Sequence, residues 1–540
     1  MRKIFLTLSV AALAALQLSA QNLNPQVQVT NDYQTRLSDV SKMDLIMQVP
    51  DSLQEFSTNV DYSVFNTDYK GAYDFDPYPI RVTPKATDYS GNQLFVRTGL
   101  GFTFRPVLNA VYTPVKKGLH RLTVYNDFHG YAGRYHRPLG SSWTGSDFQE
   151  KMGAEGRWNK ETFDLSWDAS YSGIFSKDYL TRSTFNDINA GIRICSNVDT
   201  TTLFYDFKVR LGVATDRFGN GNLVRMNEAS YLFDGTIGPE IYHQYIRLLI
   251  DIHAQSSSYN LAYSEPLTLN YLTPRAVFDW GPLNVSGGLT LCTGGKSLGL
   301  YPDVRANLML WGDVLNVYGF FGGRQFAEDY SALKTRDHWM NTAYFFGDPD
   351  LKGLKTTVEQ FNITLGLRGS IASRVQYDVK GGFVSYARAA MDQILFNADS
   401  TACASYIGYR DYKTWFLNGK LSWRSERFDA DAQVELNKTS IGDDKRFLDL
   451  PSFATTISAV YNWDRRIFGG IRIKGATPRN SLDFKVKGYA DVGLYGEYRI
   501  SPMLSAWAQW GNILCRSIPV SPVHQEHGMH LTGGICLRLQ

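Results

Sequence analysis

The residues best suited to chemistry in this chain are histidines near its C-terminus. His524, His527 and His530 follow one another at intervals of three, in a segment that also contains Glu526. Imidazole and carboxylate groups bind Zn²⁺ and other divalent ions, so a metal site is one interpretation. The spacing suits a helical turn, but Gly528 interrupts the segment and a predicted strand follows it. We therefore expect a polar surface loop and no metal site.

A second pattern is similar to part of a phosphate-binding loop. Gly294, Gly295, Lys296 and Ser297 have the required types, but the full pattern also needs a glycine where this chain has Thr290, and a helix immediately afterwards. No HExxH motif occurs. We therefore expect no catalytic residues, no cofactor and no enzymatic activity.

Polar residues on one predicted strand offer a different kind of site. His243, Arg247, Asp251 and His253 share one parity within about 241–254. If that face borders a lumen, these side chains would line a polar route; a hydrated, hydrogen-bonded lumen explains the same pattern.

The five cysteines do not form a recognisable cluster. They are far apart and no CxxC pair occurs, which argues against a zinc cluster or a thioredoxin-like motif. A disulfide between two of them is possible but unassigned. They are Cys195, Cys292, Cys403, Cys515 and Cys536.

The bulk composition excludes several classes of protein. The net charge is +3 over 540 residues, which is too small for a nucleic-acid-binding surface, so we expect no nucleic-acid partner. Beyond the N-terminus there is no apolar run of about 18 residues, which excludes α-helical membrane spans.

The N-terminus has the pattern of a secretory signal peptide. Arg2 and Lys3 precede an apolar stretch over 4–18, and small residues follow it. We place the signal peptide at residues 1–20, with cleavage between Ala20 and Gln21. In residues 21–92 the alternation is short and irregular, and Pro50, Pro77, Pro79 and Pro84 interrupt it, which predicts an extended periplasmic or lumenal segment.

From about residue 93 onward, apolar and polar residues alternate with a period of two, which is the pattern of β-strands with one apolar face. Many of these segments have about 10 to 13 residues, more than soluble strands usually have and enough to cross a bilayer. Four segments illustrate the alternation, with apolar members Phe163, Leu165, Trp167, Ala169 and Tyr171; Leu203, Tyr205, Phe207, Val209, Leu211 and Val213; Phe361, Ile363, Leu365 and Leu367; and Phe428, Ala430, Ala432, Val434 and Leu436.

Connections between these segments alternate between short and long, as they do in outer-membrane barrels. We predict long loops at about 131–149, 324–358 and 388–411. The short turns are predicted near Lys116–Gly118, Asn159–Glu161, Gly238–Pro239, Gly281–Pro282, Gly312–Asp313, Ser425–Glu426, Asp464–Arg465 and Ser501–Pro502.

The last strand carries a pattern by which outer-membrane barrels resemble one another and which their assembly machinery reads. Its matching residues are Thr532, Gly534, Leu537 and Leu539, without the terminal aromatic residue. A backbone in hydrocarbon must satisfy all its polar groups internally, so a sheet there must close on itself. We therefore predict an all-β fold. Residues 93–540 should form a transmembrane antiparallel β-barrel of about 22 strands (20–24) in the cell outer membrane, in contact with its lipid.

The chain resembles the TonB-dependent receptor superfamily, whose barrels have 22 strands. The segment Gly347–Lys352, with Thr356–Gln360 and Leu365–Leu367 after it, is similar to a segment that leads into a late barrel strand in those receptors. The whole chain resembles plug-less members of Bacteroidota. The resemblance includes their N-terminal segment and their first strand pair, matched here by Val27–Val29, Tyr33, Ser38–Val40, Lys42–Met43, Pro50, Val96–Gly101 and Ala110–Pro114.

The resemblance implies a solute transport or receptor role without a standard plug, because only about 70 residues lie between the signal peptide and the first strand. No clear Ton box is visible near residue 21. The alternative is a non-transporting scaffold or assembly component of an outer-membrane complex, with a periplasmic or outer-membrane protein as its partner.

Overall fold

The computed structural model describes most of the region after residue 92. The signal peptide, the cleavage site at Ala20 and Gln21, and the N-terminal segment 21–92 lie outside it. The described residues are 93–115, 120–136, 142–178, 182–197, 203–219, 224–239, 246–260, 265–294, 297–340, 353–372, 374–396, 403–441, 448–480 and 485–539.

Nearly all of these residues are in strands, as the alternation predicts. The strands of the main wall are β1 (Leu94–Phe102), β2 (Arg105–Val115), β3 (His120–His136), β4 (Ser142–Asn159), β5 (Phe163–Lys177), β6 (Arg182–Ser196), β7 (Leu203–Gly219), β8 (Val224–Pro239), β9 (Ile246–Tyr259), β10 (Leu267–Trp280), β11 (Leu283–Gly294), β12 (Ser297–Trp311), β13 (Leu315–Phe326), β14 (Thr357–Ile371), β15 (Val375–Phe396), β16 (Cys403–Arg424), β17 (Phe428–Ser440), β18 (Phe453–Trp463), β19 (Ile467–Ala476), β22 (Tyr489–Arg499), β23 (Leu504–Gly511) and β26 (His530–Leu539).

Three smaller elements interrupt this order. A ribbon of β20 (Arg479–Asn480) and β21 (Lys485–Val486) lies between β19 and β22, and a hairpin of β24 (Ser517–Ser521) and β25 (His524–His527) lies between β23 and β26. The helix α1 (Tyr330–Arg336) lies between β13 and β14. Within the described ranges, no helix is long and apolar enough to cross a membrane.

The wall closes into a barrel of 22 antiparallel strands, which confirms the predicted fold and number. Each strand pairs with its neighbours in the wall, and β1 pairs with β26 from Leu94 opposite Leu539 to Phe102 opposite Leu531. Closure leaves no free sheet edge, which is the condition for a sheet in hydrocarbon.

The two faces of the wall differ in chemistry. Outward side chains are large and apolar, such as Ile188 at 59% and Val213 at 58% exposed. On β26, Leu531 and Ile535 are exposed on this face, whereas Arg538 is 2% exposed on the inward face.

The barrel has a turn end and a loop end. Connections at the turn end are short, at 160–162, 281–282, 312–314, 425–427, 464–466 and 500–503, close to the predicted turns. The described chain also begins and ends there, since the amide of Gln93 donates to the carbonyl of Leu539.

The loop end differs from the prediction in two places. The regions 131–149 and 388–411, predicted as long loops, are mostly strand, because β3, β4, β15 and β16 continue through them. Strands that extend beyond a bilayer have water on both sides, so they lose apolar alternation without losing backbone pairing. In the third predicted loop, the described residues 327–340 and 353–356 lie outside the sheet and include α1; we call these described residues the mouth loop.

Candidate functional site at the loop end of the barrel

The inward face of the wall carries paired charges. Arg193 donates two hydrogen bonds to Asp206 on the neighbouring strand, at 2.8 and 2.6 Å. Arg275 lies 2.8 Å from Asp251 across β9 and β10. Opposite charges on adjacent strands stabilise the sheet and leave a polar lumen whose charges compensate one another.

The polar residues predicted on one strand belong to this face. Arg247 and Asp251 on β9 pair with Asp279 and Arg275, respectively, on β10. His253 lies 2.5 Å from Asp234. His243 is outside the described residues. The three described residues each have a partner in a neighbouring strand and form no common site, in agreement with the hydrated-lumen interpretation.

The sequence predicted a loop in the region of the mouth loop, but not its helix or its packing inside the lumen. Asp329 caps α1, because its carboxylate accepts from the amide of Ala332 at 2.9 Å. A helix of seven residues is too short to be stable alone, so its stability must come from packing.

That packing is against the inside of the wall. Tyr330, Leu333, Met340 and Leu354 of the mouth loop are buried in one apolar cluster with wall residues. The wall residues come from β5, β6, β7, β8, β10 and β16, so the loop contacts well-separated parts of the barrel. They are Ile174, Phe185, Ala214, Met226, Leu267 and Ile407.

A buried ion pair anchors α1 to the wall. Lys334 Nζ lies 3.4 Å from Asp216 on β7, and both side chains are fully buried. Asp216 also accepts from Ser183 at 2.9 Å and from the hydroxyl of Tyr330. Lys334 makes a second contact with the carbonyl of Met340. A buried pair of this kind is stable only with such additional hydrogen bonds.

A second charged contact joins the mouth loop to the opposite wall. Arg336 lies 3.7 Å from Asp392 on β15 and 3.4 Å from Glu328. Asp392 also binds Arg479 of the β20–β21 ribbon at 3.0 Å. The loop therefore reaches β15 as well as β7, and is held at both places by charge.

The end of α1 continues into a third contact. His338 Nδ1 lies 2.9 Å from the Asp147 carboxylate on β4 and 3.2 Å from Gln149. Burial alone would lower the pKa of His338, but the Asp147 carboxylate outweighs it, so the pKa is raised. Burial raises the pKa of Asp337, which accepts a hydrogen bond from Ser405.

An aromatic stack completes the mouth. Trp339 stacks on His524 with ring centroids 4.1 Å apart and meets Tyr135 edge-on at 5.6 Å. His524 in turn lies 3.1 Å from Asp178. The mouth loop is thereby joined to β3 and to the β24–β25 hairpin.

The remaining sequence candidates form no metal or phosphate site among the described residues. Among described side chains, no group of three His, Cys, Asp or Glu residues has the geometry of a metal site, and His524 binds Asp178 instead. Ser297 begins a strand, so no phosphate-loop helix follows it. The cysteines with described side chains are free: Cys195, Cys292, Cys515 and Cys536.

Sequence reasoning missed Lys334, Asp216, Arg336 and Asp392. Lys and Asp are ordinary surface residues in a sequence, and their partners lie more than fifty residues away. A usable signal was the length of the predicted loop 324–358, since long loops in compact folds are often functional.

No protein-family model matches the chain, and no curated protein matches it. Solved structures do. The copper transporter OprC aligns with a TM-score of 0.61 and 11% identity over 84% of this chain and 82% of its own. The iron transporter FrpB of Neisseria meningitidis gives 0.62 and 10% over 84% and 82%. The siderophore receptor PirA of Acinetobacter baumannii gives 0.59 and 11% over 84% and 81%.

These similarities concern the fold, which the chain shares with the barrels of these transporters and this receptor. A sequence identity near 10% supports a shared architecture only. A closed wall of 22 strands, apolar outside and polar inside, is a structure built for a lipid bilayer. The chain is an outer-membrane β-barrel with the fold of these receptors and transporters.

Proposed function

We propose that this barrel is a transporter or receptor for a small solute, and that the mouth loop controls access to its lumen. The observation that carries the proposal is the mouth loop itself, which extends from β7 to β15 and is held by Lys334 and Arg336. A barrel of 22 strands encloses a wide lumen that must be filled or closed to prevent leakage.

The orientation follows from the two ends. Short turns face the periplasm and longer connections face outward in barrels of this class. We therefore propose that the mouth loop closes the outer mouth. We also propose that the chain is a plug-less member of its superfamily from Bacteroidota, as the resemblance of its N-terminal segment implies.

The N-terminal segment 21–92 then has a role of its own. It is interrupted by prolines and poor in apolar positions, so it needs another surface against which to bury its few apolar side chains. We propose that it enters the lumen from the turn end or docks on a periplasmic partner.

Biogenesis would use both ends of the chain. We propose signal cleavage between Ala20 and Gln21, and recognition of Thr532, Gly534, Leu537 and Leu539 by the barrel-assembly machinery. In support, β26 is the strand that closes the barrel against β1, and Leu537 lies on its outward face.

The neighbouring structures suggest the solute class to test first. OprC is a copper transporter and PirA a siderophore receptor, so copper ions and ferric siderophores are suitable first ligands. Planar-bilayer conductance of the purified protein tests the proposal, combined with pull-down of envelope proteins. We expect small or gated currents that a bound solute changes. A silent barrel that co-purifies stoichiometrically with envelope proteins would favour the scaffold instead.

A further inference from the structure

Four cations lie side by side on the outer face of the barrel at its loop end. Lys177 at the end of β5 is opposite Arg182 at the start of β6. Arg217 on β7 is opposite Arg225 on β8. Thr184 on β6 is the register partner of Arg217, so the four residues occupy adjoining positions across four consecutive strands.

Strand parity shows that these side chains point away from the lumen. Arg217 is four residues from Val213 on β7, and Arg182 is six residues from Ile188 on β6. Both apolar residues are more than half exposed on the lipid-facing surface. Because parity is conserved along an unbroken strand, the cations share that face and lie beyond the apolar band.

An external anion would relieve the repulsion between these cations. Like charges directly opposite one another destabilise a pair of strands. Asp216 and Glu228, on the same strands, are buried on the inward face. The outward Glu150 on β4 accepts a hydrogen bond from Asn126. Among described residues, none of the four cations forms an ion pair; Arg225 donates only to the amide oxygen of Asn227, at 3.2 Å.

A cavity lies at the same place. It has a volume of about 290 Å³ and is lined by Lys177 and Arg182, by Phe148 and Phe175, and by hydroxyl side chains including Thr184. Phe148, Phe175 and Thr184 are register partners in one row on the outward face. The cavity therefore combines an aromatic wall with cations and hydroxyl donors.

We propose that this outer face binds the phosphate groups of a phosphorylated lipid in the outer leaflet. The cations hold the phosphates, with the arginines able to donate two parallel hydrogen bonds to one phosphate. The acyl chains lie along the apolar band below, which contains Val213 and Ile188. This inference rests on the proposed orientation of the barrel but not on transport, so conductance and lipid binding can fail independently.

The test measures lipid retention by the purified full chain in zwitterionic detergent, by native mass spectrometry. The probes are lipid A, the same lipid without its phosphates, and inorganic phosphate. The test variant is K177Q/R182Q/R217Q/R225Q. The matched control, K160Q/R427Q/R465Q/R466Q, removes the same charge from the turn end.

We expect the wild type and the control to retain lipid A, and the test variant to bind it roughly six-hundredfold more weakly, at about fivefold for each of the four cations near the surface. Inorganic phosphate at millimolar concentration should not displace the lipid, and the dephosphorylated lipid should bind as weakly as lipid A binds to the test variant.

Three results would overturn the proposal: equal retention by the test variant, equal binding of the dephosphorylated lipid, or full displacement by inorganic phosphate. Heat-modifiable migration checks that each variant is folded. If the fourfold variant does not fold, the single variants R182Q and R217Q should each weaken lipid A binding about fivefold, and unchanged affinity in both would equally refute it.

Discussion

Replacing Lys334 with Met should release the mouth loop. The side chains of Lys334 and Asp216 are fully buried and 3.4 Å apart. In Lys334→Met, Asp216 keeps its neutral donors Ser183 and Tyr330 but loses the buried positive charge of Lys334. Removing one partner of a buried ion pair typically costs about 3–5 kcal/mol.

That cost can be expressed as a shift in the docking equilibrium of the loop. At about 1.4 kcal/mol for each factor of ten, it shifts the equilibrium between docked and undocked loop by roughly two to three and a half orders of magnitude. A loop that is closed nearly all the time in the wild type would then be open for a large part of it. Single-channel recording in planar bilayers should show a higher open probability.

The double variant K334M/D216N separates charge from packing. It removes both charges, so the pair leaves no buried charge without its partner. Asn at this position can accept through Oδ1 from one of the hydroxyls of Ser183 and Tyr330 and donate through Nδ2 to the other. We expect its open probability to return most of the way to the wild-type value. Wild-type gating in a folded, heat-modifiable Lys334→Met protein would refute the reasoning, and so would a double variant as open as the single one.

Four other predictions can be checked separately. Leu537→Arg places a charge on the outward face between Val96 and Leu504. It should lower the free energy of unfolding by about 2–4 kcal/mol if the residue is near the bilayer midplane. An unchanged folding yield would contradict the strand register. The pKa of His338 is raised in the folded state. Protonated His338 therefore stabilises the docked loop fully below its unfolded-state pKa near 6.5, and this stabilisation is lost as pH rises through the folded-state pKa. Open probability should thus increase above about pH 6.5 in the wild type but not in His338→Gln, and pH-independent currents would exclude this role. Deleting residues 22–90 should enlarge conductance or release a partner, and no change in either would argue against a role for that segment. Fractionation should recover a heat-modifiable protein in the outer membrane, whereas a detergent-free periplasmic protein would disprove the location.

The sequence by itself determined the barrel. Lipid outside and polar groups inside impose a period of two on every membrane-spanning strand, so the orientation of β7 was readable from Leu203 to Val213 alone. The short turns were readable for a related reason. Gly281 and Gly312 adopt positive φ, where glycine is favoured, at two of the predicted turns.

The same period explains where the prediction failed. The apolar alternation weakens where strands leave the bilayer, so the sequence predicts loops where β3, β4, β15 and β16 extend beyond it. Backbone pairing persists in water without any requirement on side-chain type, and a pattern based on side chains cannot detect it.

Only the tertiary structure decided what lies inside and on top of the barrel. Asp216 and Lys334 are separated by more than a hundred residues, and nothing local to either one marks it as buried. The row of Lys177, Arg182, Arg217 and Arg225 likewise exists only because strand register brings four separate segments together. Periodicity encodes which face a residue takes, whereas closure and register determine which residues meet on that face.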